Sequence, residues 1–258
     1  MKIFSKDTYF LKKKYFFRSN FRQKIIFVHL IRFLNTKVNM LNRLLSYIFP
    51  INIYKTHSEI SGTLELSLYK GKLLLDSQNA NYSYGSLQRI LRFGLKKIGF
   101  KKIKTMTNIL ILGVAGGSVI KTLTDEIGFK NKIKGVEIDS NVIEIANKHF
   151  KLDDIKNLEI IIDNAQYFVK KEKTKHELVV IDIFQDLLMP SFLFERQFAE
   201  DINSLLSKNG IILFNTMKIN SEENPKIDFF QKKFNLISSY RLEKHNTIFI
   251  FEKKRQKS

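Results

Sequence analysis

The segment that most limits what this chain can fold into runs from Asn108 to Asp139. It reads Ile109-Leu110-Ile111-Leu112, then Gly113-Val114-Ala115-Gly116-Gly117-Ser118, then a helical pattern, then Gly135-Val136-Glu137-Ile138-Asp139. This is a buried strand, a tight glycine turn, a helix and a second strand ending in acids. The glycines let the backbone approach a ligand closely, and the start of the helix offers free N–H groups. Glu137 lies 20 residues beyond Gly117, at the tip of the next strand. A carboxylate there can accept hydrogen bonds from two ribose hydroxyls. The turn and the placed acid together point to a nucleotide-like cofactor; the bland alternative is a glycine turn that only packs a helix on a sheet.

Strands and helices alternate from there onward, which predicts a mostly parallel sheet with helices on both faces. The expected strands are 108–113, 132–138, 158–162, 178–183 and 211–215. The expected helices are 117–127, 141–150, 165–171 and 194–207, with Asn209-Gly210 closing the last in a left-handed conformation. A further helix follows Pro225. Two antiparallel strands, Leu236 to Arg241 and Thr247 to Glu252, complete the sheet. Upstream, Glu65 and Ser67 alternate with Leu64, Leu66 and Leu68, Lys70-Gly71-Lys72 makes a turn, and Leu73-Leu74-Leu75 returns. That is a small N-terminal β-hairpin unit within 51–76. Ser83 to Ile98 is a helix with Leu87, Ile90, Leu91 and Leu95 along one face. A basic linker, Lys101 to Thr107, leads into the first strand of the sheet. The fold class is therefore α/β, a doubly wound Rossmann-like sheet with a hairpin unit before it.

In such a sheet the ligand lies beyond the carboxyl ends of the strands. Those ends are Gly113 to Gly117, Glu137 to Asp139, Asp163-Asn164-Ala165, Asp182 to Asp186 and Asn215-Thr216. Their order assigns the glycine turn to an alkyl arm of the cofactor and Glu137 to the ribose. Asp163 or Asn164 is assigned to the purine edge, because an amide or carboxylate can accept from an adenine amino group. Asp182 stands at the reacting end, with Asp186 second to it. The segment Ile183 to Phe192, with Met189 and Pro190, is a candidate lid. Asp163 and Asn164 could equally be caps of the helix starting near Ala165, and Asp186 a solvated loop acid.

The 258 residues carry a net charge of +19. Residues 1–39 hold ten Lys or Arg against Asp7, so +9 sits there and +10 on the other 219 residues. Such a chain invites a nucleic-acid or anionic-membrane partner; a Lys-, Asn- and Ile-rich composition accounts for the body more simply. The first 39 residues mix Lys12-Lys13-Lys14 with Tyr15, Phe16, Phe17 and Phe21 and read as a basic arm, a disordered tail or an over-extended start. The apolar run Ile25 to Leu34 is too short to span a bilayer and has no cleavage site. Met40 opens an amphipathic segment stopped by Pro50 and is the expected true start. The organisation read is 1–39 extension, 40–82 helix and hairpin unit, 83–253 cofactor-binding catalytic domain, and 254–258 frayed tail. There is no cysteine, which excludes disulfides, thiolate metal sites and a cysteine nucleophile. His29, His57, His149, His176 and His245 show no ligand spacing, so no metal is expected. A cytoplasmic protein, with a homodimer as one option, is the expectation.

From about Lys55 to Met217 the chain resembles the polyamine aminopropyltransferase family, the spermidine synthase-like proteins, which share the class I methyltransferase fold. The resemblance rests on the hairpin unit, Leu73-Leu74-Leu75-Asp76, the Tyr84 region, the glycine turn, Val136-Glu137-Ile138-Asp139, Ile162-Asp163-Asn164-Ala165 and Val180-Ile181-Asp182. It implies a sulfonium nucleoside cofactor, S-adenosylmethionine or its decarboxylated form, and a small-molecule acceptor such as a polyamine. It also implies that Glu137 binds the ribose, Asn164 holds the adenine edge, Asp182 begins the catalytic loop and Tyr84 lies at the substrate. The family's acid within the glycine turn is replaced here by Ala115, and its Tyr-His-Glu by Tyr84-Gly85-Ser86. Its Asp-x-x-Asp is stretched to Asp182 and Asp186. Holding a dicationic diamine needs several carboxylates, so these losses bring methyl transfer into play beside aminopropyl transfer. A non-catalytic binding protein docking on nucleic acid, and a nicotinamide-dependent oxidoreductase, are the readings from other classes.

Overall fold

The computed structural model describes residues 40–77, 86–184, 188–217, 227–242 and 245–254. The expectations for residues 1–39, Tyr84, Gly85, Asp186 and the last four residues lie outside them. The chain divides into two compact units, one of residues 1–51 and 68–71 and one of residues 52–67 and 72–258. In the first, a helix α1 over residues 40–45 leads to the buried Ser46. Ser46 Oγ donates to Arg43 O at 2.6 Å and accepts from Gly71 N at 3.0 Å, while Ser46 O accepts from Lys70 N at 2.8 Å. The Lys70-Gly71 turn takes positive φ at both residues (50° and 73°), so the expected turn is where the sequence placed it.

Three strands, β1 (Ile51–Ser58), β2 (Gly62–Tyr69) and β3 (Lys72–Ser77), form a small sheet in that order. Leu64, Leu66 and Leu75 are fully buried, which is the period-two pattern read from the sequence. The larger sheet has seven strands in the order β6-β5-β4-β7-β8-β10-β9. They are β4 (Asn108–Leu112), β5 (Lys132–Glu137), β6 (Leu158–Ile162), β7 (His176–Ile181), β8 (Leu206–Met217), β9 (Phe234–Leu242) and β10 (Asn246–Lys253). The first five pair with one another in parallel, and β10 runs antiparallel to both β8 and β9. Alternate residues of one strand feed two separate cores: Ile109 and Ile111 join one, Leu110 and Leu112 the other. Leu178 and Val180 against Val179 and Ile181 repeat the pattern. Both faces of the strands are therefore covered, as a parallel sheet requires.

The connecting helices are α2 (Ser86–Ile98), α3 (Phe100–Lys104), α4 (Ser118–Lys121), α5 (Ser140–Phe150), α6 (Ala165–Lys171), α7 (Arg196–Leu205) and α8 (Asp228–Lys233). Three details depart from expectation. The basic linker contains α3, which buries Ile103 while its lysines stay outside. The helix after the glycine turn widens into a π turn over Thr122–Glu126, where Thr122 and Thr124 hydroxyls donate back to carbonyls four residues earlier. Helix α7 ends at Leu205 with an extended cap at Leu206 and no left-handed residue. Gly210 instead sits inside β8, where a Cβ would lie 2.8 Å from Leu206 Cδ2 and 3.1 Å from His176 O. Its smallness serves close packing, so the turn signal Asn209-Gly210 was misread.

Candidate functional site

The carboxyl ends of β4, β5 and β7 meet at a backbone crossing. Gly113 N donates to Val136 O and Asp182 N donates to Leu112 O, each at 2.9 Å. Gly113 has φ +91°, and a Cβ there would lie 2.1 Å from Asp182 O. Only glycine allows the neighbouring strand end to come so close while the chain turns. Ala115 follows with φ 47°, a left-handed conformation costing an L-residue about 1–2 kcal/mol. Gly116 is buried. Gly117, with φ +79°, precedes α4 and leaves no room for a Cβ beside Leu152.

Glu137 explains how that strained turn is held. One carboxylate oxygen accepts from Val114 N at 3.1 Å and Ala115 N at 3.0 Å. The other accepts from Ile138 N at 2.9 Å and Asp139 N at 3.2 Å. All four acceptor positions of the carboxylate are thus filled by backbone N–H groups. Burial pushes the Glu137 carboxyl above its ordinary range, and the four N–H groups pull the other way. The turn and the acid do converge, but the acid is already a ligand of the turn. Ribose hydroxyls reach it only by sharing or displacing those amides.

Asp139 is engaged differently. Its Oδ1 caps α5 through Asn141 N at 2.9 Å, and its Oδ2 accepts from Ser58 Oγ at 2.5 Å and Ser61 Oγ at 2.6 Å. Both oxygens therefore pin the β1–β2 connection and a helix start. The sequence gave no signal for the two serines, which lie 78 and 81 residues away. Asn164 is the N-cap of α6, accepting from Gln166 N at 2.8 Å, and Ala165 is the buried first residue of that helix. Asp163 Oδ1 accepts from Asn164 N at 2.8 Å. The cap is therefore Asn164, whose amide nitrogen has no recorded partner among the described residues.

Asp182 follows β7. Burial pushes its carboxyl up to about 7, the nearby Glu137 adds to that, and the Asn215 side chain opposes it. Asn215 Nδ2 donates to Asp182 Oδ1 at 2.9 Å, and Asn215 Oδ1 accepts from Asn246 at 3.2 Å. The fully buried Asn215 at the end of β8 thus positions Asp182. The strand-end reading had flagged Asn215 without giving it a role. Met189, read as part of a lid, accepts from Met217 N through its sulfur at 3.3 Å. Ile138 and Ile162, at the tips of β5 and β6, are 44% and 49% exposed, an apolar face that hydropathy alone assigns to the interior. Among the described residues no group of three or more metal-ligating side chains occurs.

A family model described as the spermine/spermidine synthase domain matches residues 94–246. The polyamine aminopropyltransferase of Vibrio vulnificus (strain CMCP6) is 31% identical over 111 residues, covering 42% of this chain and 37% of that one. The chain spans less than half the length of the curated relatives it matches. Among solved structures, spermidine synthase from Thermotoga maritima superposes with a TM-score of 0.61 at 18% identity, covering 80% of this chain and 74% of that one. A spermidine synthase in complex with the transition-state analogue AdoDATO gives a TM-score of 0.64 at 16% identity with the same coverage. Both structural likenesses concern the fold.

Proposed function

The chain belongs to the spermine/spermidine synthase family, and from that premise we propose that it transfers an alkyl group from a sulfonium nucleoside to a small nucleophile, with Asp182 as the proton acceptor. The observation that carries the reading is the pair of buried carboxylates, Glu137 and Asp182. Each is raised by burial, and the described residues include no ion-pair partner for either. Buried carboxylates held only by neutral hydrogen-bond donors favour a cationic ligand, and a sulfonium nucleoside supplies one. The fit extends to Ile138 and Ile162, whose exposed side chains offer an apolar bed for a purine, and to Asn164, whose amide nitrogen has no recorded partner among the described residues.

When bound, the sulfonium nucleoside supplies an electrophilic carbon with a neutral thioether as leaving group. This chain's residues must then orient the acceptor and take its proton. Asp182, held by Asn215, carries a carboxyl near 7, so near neutrality it exists in both states and can take a proton as the nitrogen–carbon bond forms. Asp182 would hold the proton that the acceptor gives up. Glu137 keeps the turn closed and would offer its carboxylate to the ribose. Family membership favours the decarboxylated cofactor and a polyamine acceptor. Ala115, neutral where the family carries an acid, favours a methyl-transferring branch as the second reading.

The test is product analysis with purified protein, small amines and each form of the cofactor. Methylthioadenosine as co-product marks aminopropyl transfer, and S-adenosylhomocysteine marks methyl transfer. Neither product, with neither cofactor bound, overturns the proposal. Asp182→Asn should lower kcat by about 10²–10⁴-fold, the range for a lost general base, with a smaller change in cofactor affinity.

A further inference from the structure

The other end of the seven-stranded sheet carries lysines where the site carries acids. Lys175 immediately precedes β7, Lys208 is the third residue of β8, Lys253 ends β10 and Lys254 follows it, and Lys232 and Lys233 immediately precede β9. Because β10 runs antiparallel to its neighbours, these six positions lie at one end of four adjacent strands. At about 4.8 Å between strands, the row is about 14 Å across. Among the described residues none of the six forms an ion pair.

Helix dipoles account for part of this. A helix C-terminus favours cations, and Lys175 donates to Ser204 O while Lys253 donates to Asn203 O and Leu206 O, both at 2.8 Å. Lys254 likewise donates to Lys232 O at 2.5 Å. These partners are neutral carbonyls, so every one of the charges survives. Lys253 is crowded enough that burial, then Lys175 and Lys233, pull its ammonium below the ordinary range. Glu252, the adjacent acid, points to the opposite face of β10 because successive strand residues alternate. More like charges are gathered here than capping one short helix end requires, and holding them together costs energy unless a polyanion neutralises them.

We propose that this end of the sheet is a docking surface for the phosphate backbone of nucleic acid, distinct from the candidate transfer site at the opposite strand ends. A duplex carries one charge per about 1.7 Å of axis, so about eight phosphates lie along 14 Å and those on the near side match the row. A row of lysines reads backbone rather than bases, and the one ring recorded beside it among the described residues, Phe229, already lies under the Lys232 ammonium at 5.7 Å. Four of the lysines stand at strand ends or beside them, and Lys232 and Lys233 close the six-residue α8, so the row does not run along one long amphipathic helix, the usual membrane-surface form.

The test uses the full chain and a labelled 20-base-pair DNA duplex of arbitrary sequence, read by fluorescence anisotropy from about 50 to 200 mM salt, where phosphate-driven binding changes most. Neutralising Lys232→Gln, Lys233→Gln and Lys254→Gln together should weaken binding about tenfold or more at the low-salt end. It should also reduce the slope of log K against log salt by about 2–3, at about 0.9 per phosphate contact. A control triple in the small sheet, Lys55→Gln, Lys70→Gln and Lys72→Gln, removes the same charge and should stay within about twofold, while unchanged melting shows that both triples fold. Equal losses in the two triples, no loss in the first, or binding to phosphatidylserine vesicles but not to the duplex would each overturn the proposal.

Discussion

The two ends of the seven-stranded sheet are made from the same strands and differ in almost every physical respect. At the carboxyl ends, Glu137 and Asp139 are buried and their oxygens are filled by N–H and O–H donors. At the amino ends, four of the six lysines of the row are exposed, and Lys175, Lys253 and Lys254 rest on neutral carbonyls. The first end gains its chemistry from desolvation, which raises the Glu137 and Asp182 carboxyls with no cationic partner among the described residues. The second gains its chemistry from crowding, which gathers positive charge in want of an anion. Chain direction produces this polarity: helices start at the carboxyl ends of the strands and finish near the amino ends, so backbone dipoles favour acids at one and bases at the other.

The largest stability effect should come from the buried end. Glu137→Ala leaves four backbone N–H groups without their acceptor and frees a turn that contains the strained Ala115. Hydrogen bonds to a charged group are worth about 1.5–3 kcal/mol each, and some of the freed amides will be met by water. Destabilisation of about 3 kcal/mol or more in urea unfolding is expected, together with loss of cofactor affinity. Intact stability with lost affinity would mean that Glu137 serves the ligand alone and that the turn is held by other contacts.

That dual role marks the limit of sequence reading here. The strand tips, the glycine turn and the acid at the end of β5 were legible because period, glycine spacing and strand order act locally. The unbroken apolar run of Ile109 to Leu112 announced a strand covered on both faces. What the sequence concealed depends on partners brought together by folding. Ser58 and Ser61 bind Asp139 across about 80 residues, and Asn215 reaches Asp182 only because β8 lies beside β7. Asn209-Gly210 misled because a glycine needed for close packing carries the same letter as one needed for a turn. The lysine row was hidden for the same reason: its members are scattered from residue 175 to residue 254 and become neighbours only when β10 reverses direction.

A middle-sized effect lies at the amino end, at a side chain that breaks its exposed pattern. His176, the first residue of β7, is 2% exposed, and neither ring nitrogen has a hydrogen-bond partner among the described residues. Burial pulls its pKa down to about 4, with Lys134 and Lys132 acting in the same direction and Glu172 against them. The folded state therefore holds the ring neutral. Relative to an unfolded value of 6.5, its contribution to stability is complete above that pH and is lost as pH falls toward 4. His176→Leu removes two unpaired polar atoms and should stabilise by about 1–2 kcal/mol at pH 7, with the gain growing between pH 6.5 and 4. A loss of stability at pH 7 would show that the imidazole has a partner that the buried geometry conceals.

The smallest effect separates burial from charge within a single strand. Lys132 and Lys134 both lie on β5 and both pair with a glutamate, Glu159 at 3.2 Å and Glu172 respectively. The side chains of the first pair are about half exposed (54% and 48%), and those of the second are nearly enclosed (10% and 8%). Lys134 also lies over the Phe168 ring, and its ammonium helps hold the Glu172 carboxyl down to about 2. An exposed pair gains little because water screens it, so Lys132→Ala should change stability by less than about 0.5 kcal/mol. Breaking the enclosed pair by Lys134→Ala strands a buried carboxylate and should cost several-fold more. Thermal melts of the two variants in low and high salt would check this: the Lys132 effect should fade with salt and the Lys134 effect should persist. Equal effects would mean that position along the strand, rather than enclosure, sets the worth of a charge at this end of the sheet.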